Sequence, residues 1–168
     1  MVPSLIAQMT RARICDGVRL DRLVLAIVVA AGCAHSNAVP ATPVAKIKLV
    51  TLPAESDSFP AIAKATTSAL GQAKLTGVDE TVASKVSMEV VQLSIECVDA
   101  SATCYDAVAK SLSANRLLFA AIDSDGKKPK IAVTVFDVGK PPRTRERTFD
   151  SEAAAIAGVE RLVAEVTQ

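Results

Sequence analysis

From residue 46 onward the chain alternates between two apolar periods, and their succession predicts the elements. Lys46 to Leu52 reads as a strand that Pro53 ends. Ser58 then has the look of an N-cap, with Pro60 in the first helical turn. Ile62, Ala63, Ala65, Ala69 and Leu70 follow at helical spacing, and Gly71 lies near the stop. After a turn over 75–79, Thr81 to Val86 predicts a short strand. Ser87 can cap a helix from Met88 to about Ile95, with Val90, Val91 and Ile95 inward. Another helix runs from about Cys104 to Leu112, capped by Ser101 or Thr103.

Leu117 to Ile122 is an uninterrupted apolar run, as expected of a central strand covered on both faces. Asp123 to Lys128 predicts a turn. Lys130 to Val138 alternates, with Ile131, Val133 and Val135 on one side and Ala132, Thr134 and Phe136 on the other. Gly139 to Pro142 turns the chain, and Arg143 to Phe149 reads as a polar edge strand. Ser151 caps a last helix through about Val166, with Ala155, Ile156, Val159, Leu162, Val163 and Val166 as its stripe. The predicted order is β-α-β-α-α-β-β-β-α. That is an α/β sandwich around a single mixed sheet, without internal repeats.

The pattern before residue 46 is of another kind. Arg11, Arg13, Arg19 and Arg22 form a basic region, and an uncharged apolar run from Leu23 to Ala31 follows. That run is far short of the roughly 20 residues needed to span a bilayer, and it has the length of a signal-peptide core. It ends in Ala30-Ala31-Gly32-Cys33, which resembles a bacterial lipobox. Residues 1–32 therefore read as a lipoprotein signal, with Met9 an alternative start, and Cys33 as the acylated residue. An ordinary signal cleaved near Ala31 is the competing reading. Residues 33–45 hold two prolines and no charge, so they read as the lipidated cysteine and a short tether. The folded domain is residues 46–168. A cysteine followed by Ala34 rather than aspartate resembles the sorting pattern of the outer membrane.

Composition removes several classes of function. The chain has 168 residues, of which 50% are apolar and 22% charged, so it is long and apolar enough for one folded domain. Lys+Arg (19) nearly balance Asp+Glu (18), which leaves no electrostatic footprint for nucleic acid. Tryptophan is absent and tyrosine occurs once, so stacking platforms are poorly supplied. The single histidine, His35, falls in the tether. No glycine-rich phosphate loop occurs, and no Ser or Cys can be joined to a His base within the fold. An enzyme is hard to build from these parts, and no metal or cofactor site is expected.

Cys97 and Cys104 flank a polar stretch between two helices. In an oxidising compartment they can close a ring worth about 2.5 kcal/mol in the chain-entropy model. A redox couple would favour Cys-x-x-Cys at a helix start. A metal site would need two further ligands, and the domain has no His and no other Cys. Arg143, Arg145 and Arg147 alternate, so they project from one strand face. The stripe suits an acidic partner or anionic headgroups; it also suits an edge protected by charge. Lys127, Lys128 and Lys130 extend the basic character beside it. Asp123-x-Asp125-Gly126 begins like a calcium loop, but Thr134 stands where the bidentate Glu belongs, so it reads as a turn. Glu89 and Glu96 are seven apart and could share one face of a helix.

The run Cys97…Cys104, an amphipathic helix, Ser111-Leu112-Ser113-Ala114-Asn115-Arg116-Leu117-Leu118, and later Asp137-Val138 resembles a segment of bacterial envelope proteins. There it reads Cys…Cys, helix, Leu-Gly-Ala-Asp and hydrophobic strand, with a hairpin ending in Asp-Val. The opening strand ending in Leu52-Pro53 fits as well. The family is the α/β domain of the TolB N-terminus, of the curli-secretion lipoprotein CsgG and of lipoprotein activators of penicillin-binding proteins. Here Ser113 replaces the glycine, and Ala120-Ala121 replace a Gly-Ser that follows the hydrophobic strand. The resemblance implies an α/β fold and work through protein contacts rather than catalysis. The expectation is a lipid-anchored, periplasm-facing accessory module that binds an envelope protein or itself. A subunit of an oligomeric secretion assembly and a small ligand-binding or hydrolytic domain are the alternatives.

Overall fold

The structure is a computed structural model that describes residues 46–97 and 99–168. The expected signal, Cys33, His35 and the tether lie outside the described residues. The elements follow the expected order: β1 (Lys48–Thr51), α1 (Pro60–Gln72), β2 (Glu80–Ala83), α2 (Met88–Ser94), α3 (Ala102–Ser111), β3 (Arg116–Asp125), β4 (Lys128–Asp137), β5 (Arg143–Thr148) and α4 (Glu152–Thr167).

The five strands form one sheet in the order β2-β1-β3-β4-β5. β1 is parallel to both β2 and β3, and the β3-β4-β5 part is antiparallel. The two crossovers, β1-α1-β2 and β2-α2-α3-β3, run in opposite directions across the sheet. Both must be right-handed, so their helices fall on opposite faces. One core cluster joins Leu49, Leu118, Ile131, Val133 and Val135 to Ile62 and Leu70 of α1 and to Val159, Leu162 and Val163 of α4. The other joins Val50, Leu117, Phe119 and Phe136 to Met88 and Val91 of α2 and to Tyr105 and Val108 of α3. Tyr105 meets Phe119 and Phe136 edge-on, with ring centroids 5.1 and 5.5 Å away. β3 is thus covered on both faces over its first half, as its apolar run implies.

Local chemistry places the helix starts. Ser87, Ser101 and Ser151 each accept a hydrogen bond from the amide three residues on, at Val90, Cys104 and Ala154. α1 differs from expectation. Its N-cap is Phe59, not Ser58, and no side chain caps it. Pro60 at the first helical position removes one donor that would have needed a partner. Ser56 instead takes the Phe59 amide through its hydroxyl at 3.2 Å.

The β3–β4 hairpin is longer than the polar residues at its tip predict. Asp123, Ser124 and Asp125 continue the ladder, paired with Lys130, Pro129 and Lys128. Only Gly126 and Lys127 turn, and Gly126 has φ +66°. A positive φ confined to the first loop position is the pattern of a type II′ turn, whose twist matches the strands. Two inward assignments are also corrected. Val90 on α2 and Ile156 on α4 face solvent. On α4, Gly158 is a packing residue: a Cβ there would stand 2.5 Å from the Phe149 ring.

Candidate contact surfaces

The α2–α3 layer is built from two short helices that both end the same way. After α2, the Cys97 amide donates to Gln92 O (2.9 Å) and the Glu96 amide to Leu93 O (3.3 Å). After α3, Ala114 donates to Ala109 O (2.8 Å) and Ser113 to Lys110 O (3.1 Å). Both are Schellman motifs, which require a left-handed residue just past the cap. Glu96 (φ +55°) and Ser113 (φ +50°) fill those positions, where glycine would carry no steric penalty. Ser113 stands where the resembling segment has its glycine. Glu96 therefore lies beyond α2, and it does not share a helical face with Glu89. The next residue of that motif, Asn115, holds β1 and β4 to β3. Its side-chain oxygen accepts from Lys48 N (2.9 Å), its amide donates to Lys48 O (3.0 Å), and its carbonyl accepts from Val138 N (3.0 Å). Asp137 of the Asp-Val pair forms a half-buried ion pair with Arg116, which also donates to Thr76 O.

Cys97 and Cys104 are joined in the structure, their Cα atoms 5.6 Å apart. Cys104 is buried in the first turn of α3. The bridge therefore ties the end of α2 to the start of α3. The outer face of α2 is apolar and uncovered. Val86, Val90 and Leu93 are 41%, 46% and 67% exposed. Val90 and Leu93 lie three residues apart on one side of the helix, and Val86 precedes its N-cap. Glu89 borders this stripe and Glu96 follows its end.

The arginine stripe divides. By register, Arg143, Arg145 and Arg147 oppose Val135, Val133 and Ile131, on the α4 side of the sheet. Arg147 gives two 3.2 Å contacts to the Glu165 carboxylate of α4. Arg143 and Arg145 are exposed and line an open cleft with Glu165, Val166 and Gln168. α4 has no basic residue in its last turn. The two arginines therefore supply positive charge where its carbonyls end. The neighbouring lysines do not extend the stripe. Lys130 projects from the opposite face to pair with Glu146 at 3.1 Å, and Lys128 pairs with Asp150 at 2.6 Å. That contact holds the Asp150 carboxyl below its ordinary pKa and the Lys128 amine above its own, chiefly through the hydrogen bond.

An open groove of about 360 Å³ lies between the last turns of α1 and α4, lined by Ala69, Lys74, Glu160, Val163 and Thr167 among others. Among the described residues, no three His, Cys, Asp or Glu side chains gather to hold a metal ion. No helix among them is long and apolar enough to cross a membrane.

The exposed apolar stripe and the two Schellman positions escaped the sequence reading. Alternation gives the face of a helix only relative to a neighbour, and α2 is too short to fix that by period. No family model matches the chain, and no curated protein matches it. Among solved structures, the LpoB C-terminal domain from Salmonella enterica is loosely similar, with 14% sequence identity over 64% of this chain and 84% of that one and a TM-score of 0.40.

Proposed function

We propose that this chain is a bacterial envelope module, anchored by lipid at Cys33, that acts through protein contact rather than catalysis. The observation that carries the contact role is the exposed pair Val90 and Leu93 on α2, with exposed Val86 just before its N-cap. Three branched aliphatic side chains in water at one short helix and its entry are a recognition surface more readily than a core. The helix beneath them is stapled to α3 by Cys97–Cys104, so the surface is pre-organised and loses little freedom on binding. Glu89 and Glu96 border the stripe, which favours a partner segment that is apolar with Lys or Arg at its flanks. The basic N-region, the apolar run and Ala-Gly-Cys33 support the anchor.

The test is recovery of a crosslinked partner from intact cells with Leu93→Asp beside the unmodified chain. The change should abolish recovery of one specific band and leave thermal stability nearly unchanged, since the side chain packs on little. Equal recovery from both chains would refute the contact role. Labelling with an alkyne fatty acid tests the anchor independently. Incorporation should vanish in Cys33→Ser, and persistent incorporation would refute acylation at that residue.

A further inference from the structure

The two ends of the sheet differ in charge. Strand registers bring the starts of β1, β2, β3 and β5 and the end of β4 to one end. The chain enters the domain there, through Lys46. Exposed at this end are Lys46, Lys74, Lys140 and Arg143. Two of its carboxylates are engaged locally, Asp137 with Arg116 and Asp79 with the Ile47 amide at 2.7 Å, and Glu80 at the start of β2 is exposed against those four cations. The opposite end collects Glu55, Asp57, Asp125, Asp150 and Glu152, opposed by Lys85, Lys127 and Lys128. The domain is therefore polar along its strands, basic where the tether joins and acidic far from it.

The basic end also has an apolar tip. Between β4 and β5 the chain runs Val138-Gly139-Lys140-Pro141-Pro142-Arg143. Val138 is 48% exposed, and both prolines are exposed. The Gly139 amide donates to Asp106 of α3 at 3.3 Å, which fixes the loop against the domain. Small apolar side chains interleaved with cations are the composition of surfaces that rest at a lipid headgroup boundary.

We infer that this end is a membrane-facing surface, with Val138, Pro141 and Pro142 at the headgroup boundary and Lys46, Lys74, Lys140 and Arg143 against the phosphates of anionic lipid. The inference rests on the proposed anchor at Cys33. Only 12 residues separate Cys33 from Lys46, so the anchored domain stays near the surface whatever its facing. Charge then selects the facing. The acidic end is repelled from the anionic layer, and the α2 stripe on the flank is left open to a partner.

The chain contains no tryptophan, so a single introduced one reports its own surroundings. Full-length Val138→Trp and, at the far end, Lys127→Trp are placed on vesicles of about one-third anionic phospholipid with brominated acyl chains. Val138→Trp should shift to the blue and be quenched, and Lys127→Trp should not. About 1 M salt, where the screening length is about 3 Å, should abolish the quenching. Adding Lys140→Gln and Arg143→Gln should lower the oriented population roughly thirtyfold. Equal quenching at both positions, quenching indifferent to salt, or silence at Val138→Trp would each overturn the inference. Fatty-acid labelling of the same preparations separates the two claims. Silence with Cys33 acylated sinks the facing and leaves the anchor. A response with Cys33 unlabelled sinks the anchor and leaves the surface.

Discussion

α1 and α4, 13 and 16 residues long, cover one face of the sheet, while α2 and α3, 7 and 10 residues long, cover the other. The long pair meets its face with a broad aliphatic cluster and no covalent link. The short pair has a smaller cluster centred on Tyr105, Phe119 and Phe136, and it adds a disulfide. Helices this short are marginal on their own. Two of their terminal residues are held in a strained left-handed conformation. The short layer thus depends on the aromatic contacts and the bridge, and it also leaves an apolar side chain further uncovered, Leu93 at 67% exposed against Ile156 at 40% on α4. One face secures the fold, and the other presents a surface.

That contrast predicts graded effects. Leu162→Ala should cost about 3–4 kcal/mol in chemical denaturation, because a fully buried leucine on the long-helix face leaves a cavity that a continuous core cannot close. A loss below about 1 kcal/mol would mean that face is not the foundation. Replacing both Cys97 and Cys104 by Ser should cost about 2.5 kcal/mol, with faster hydrogen exchange in α2 and α3 and unchanged protection in α4. Exchange rising equally on both faces would erase the distinction. Gly158→Ala should destabilise by about 1–2 kcal/mol despite its better helix propensity, because the methyl meets Phe149. On the short-helix face the sign reverses. Glu96→Gly and Ser113→Gly should each raise stability by about 0.5–1 kcal/mol by relieving the left-handed residue.

The smallest effect concerns pH. Burial raises the Tyr105 phenol above its ordinary pKa, so the folded state holds the proton more tightly than the unfolded chain. Its contribution is fully present below pH about 10 and is lost as pH rises through the folded value. A stability profile of the unmodified protein should therefore fall in that alkaline window, and Tyr105→Phe should flatten it. Identical profiles for the two would show that the phenol is not the titrating group.

The chain made the architecture readable where one residue type did one job. Ile131 to Phe136 alternates because every second residue of β4 meets the α1–α4 core while the other face reaches an apolar cluster only at Phe136, and the serines before α2, α3 and α4 declare their caps. It was unreadable where geometry rests on a partner distant in sequence. Asp123 to Asp125 look like turn residues, yet the hairpin register carries them into a strand. Glu96 and Ser113 hide two glycine-type positions because neither is glycine. The Arg147–Glu165 contact, which takes one arginine out of the stripe, joins residues whose proximity only the packed α4 creates. The bridge was legible as a spacing of cysteines, while the exposed α2 stripe was not, since Val90 could equally have faced inward.

The position of β1 between β2 and β3 has a kinetic consequence. Part of its ladder is made with β3, and Lys48 and Asn115, which exchange hydrogen bonds, are 67 residues apart. By contrast, β3, β4, β5 and α4 follow one another and pair with sequence neighbours. Contacts of low sequence separation form first, so the block from Arg116 to Thr167 should nucleate folding, and β1 should join it late. A chain that emerges N-terminus first cannot complete its sheet until β3 has appeared. Until then its first seventy domain residues lack the strand that completes their sheet, and their apolar faces have no finished core to enter.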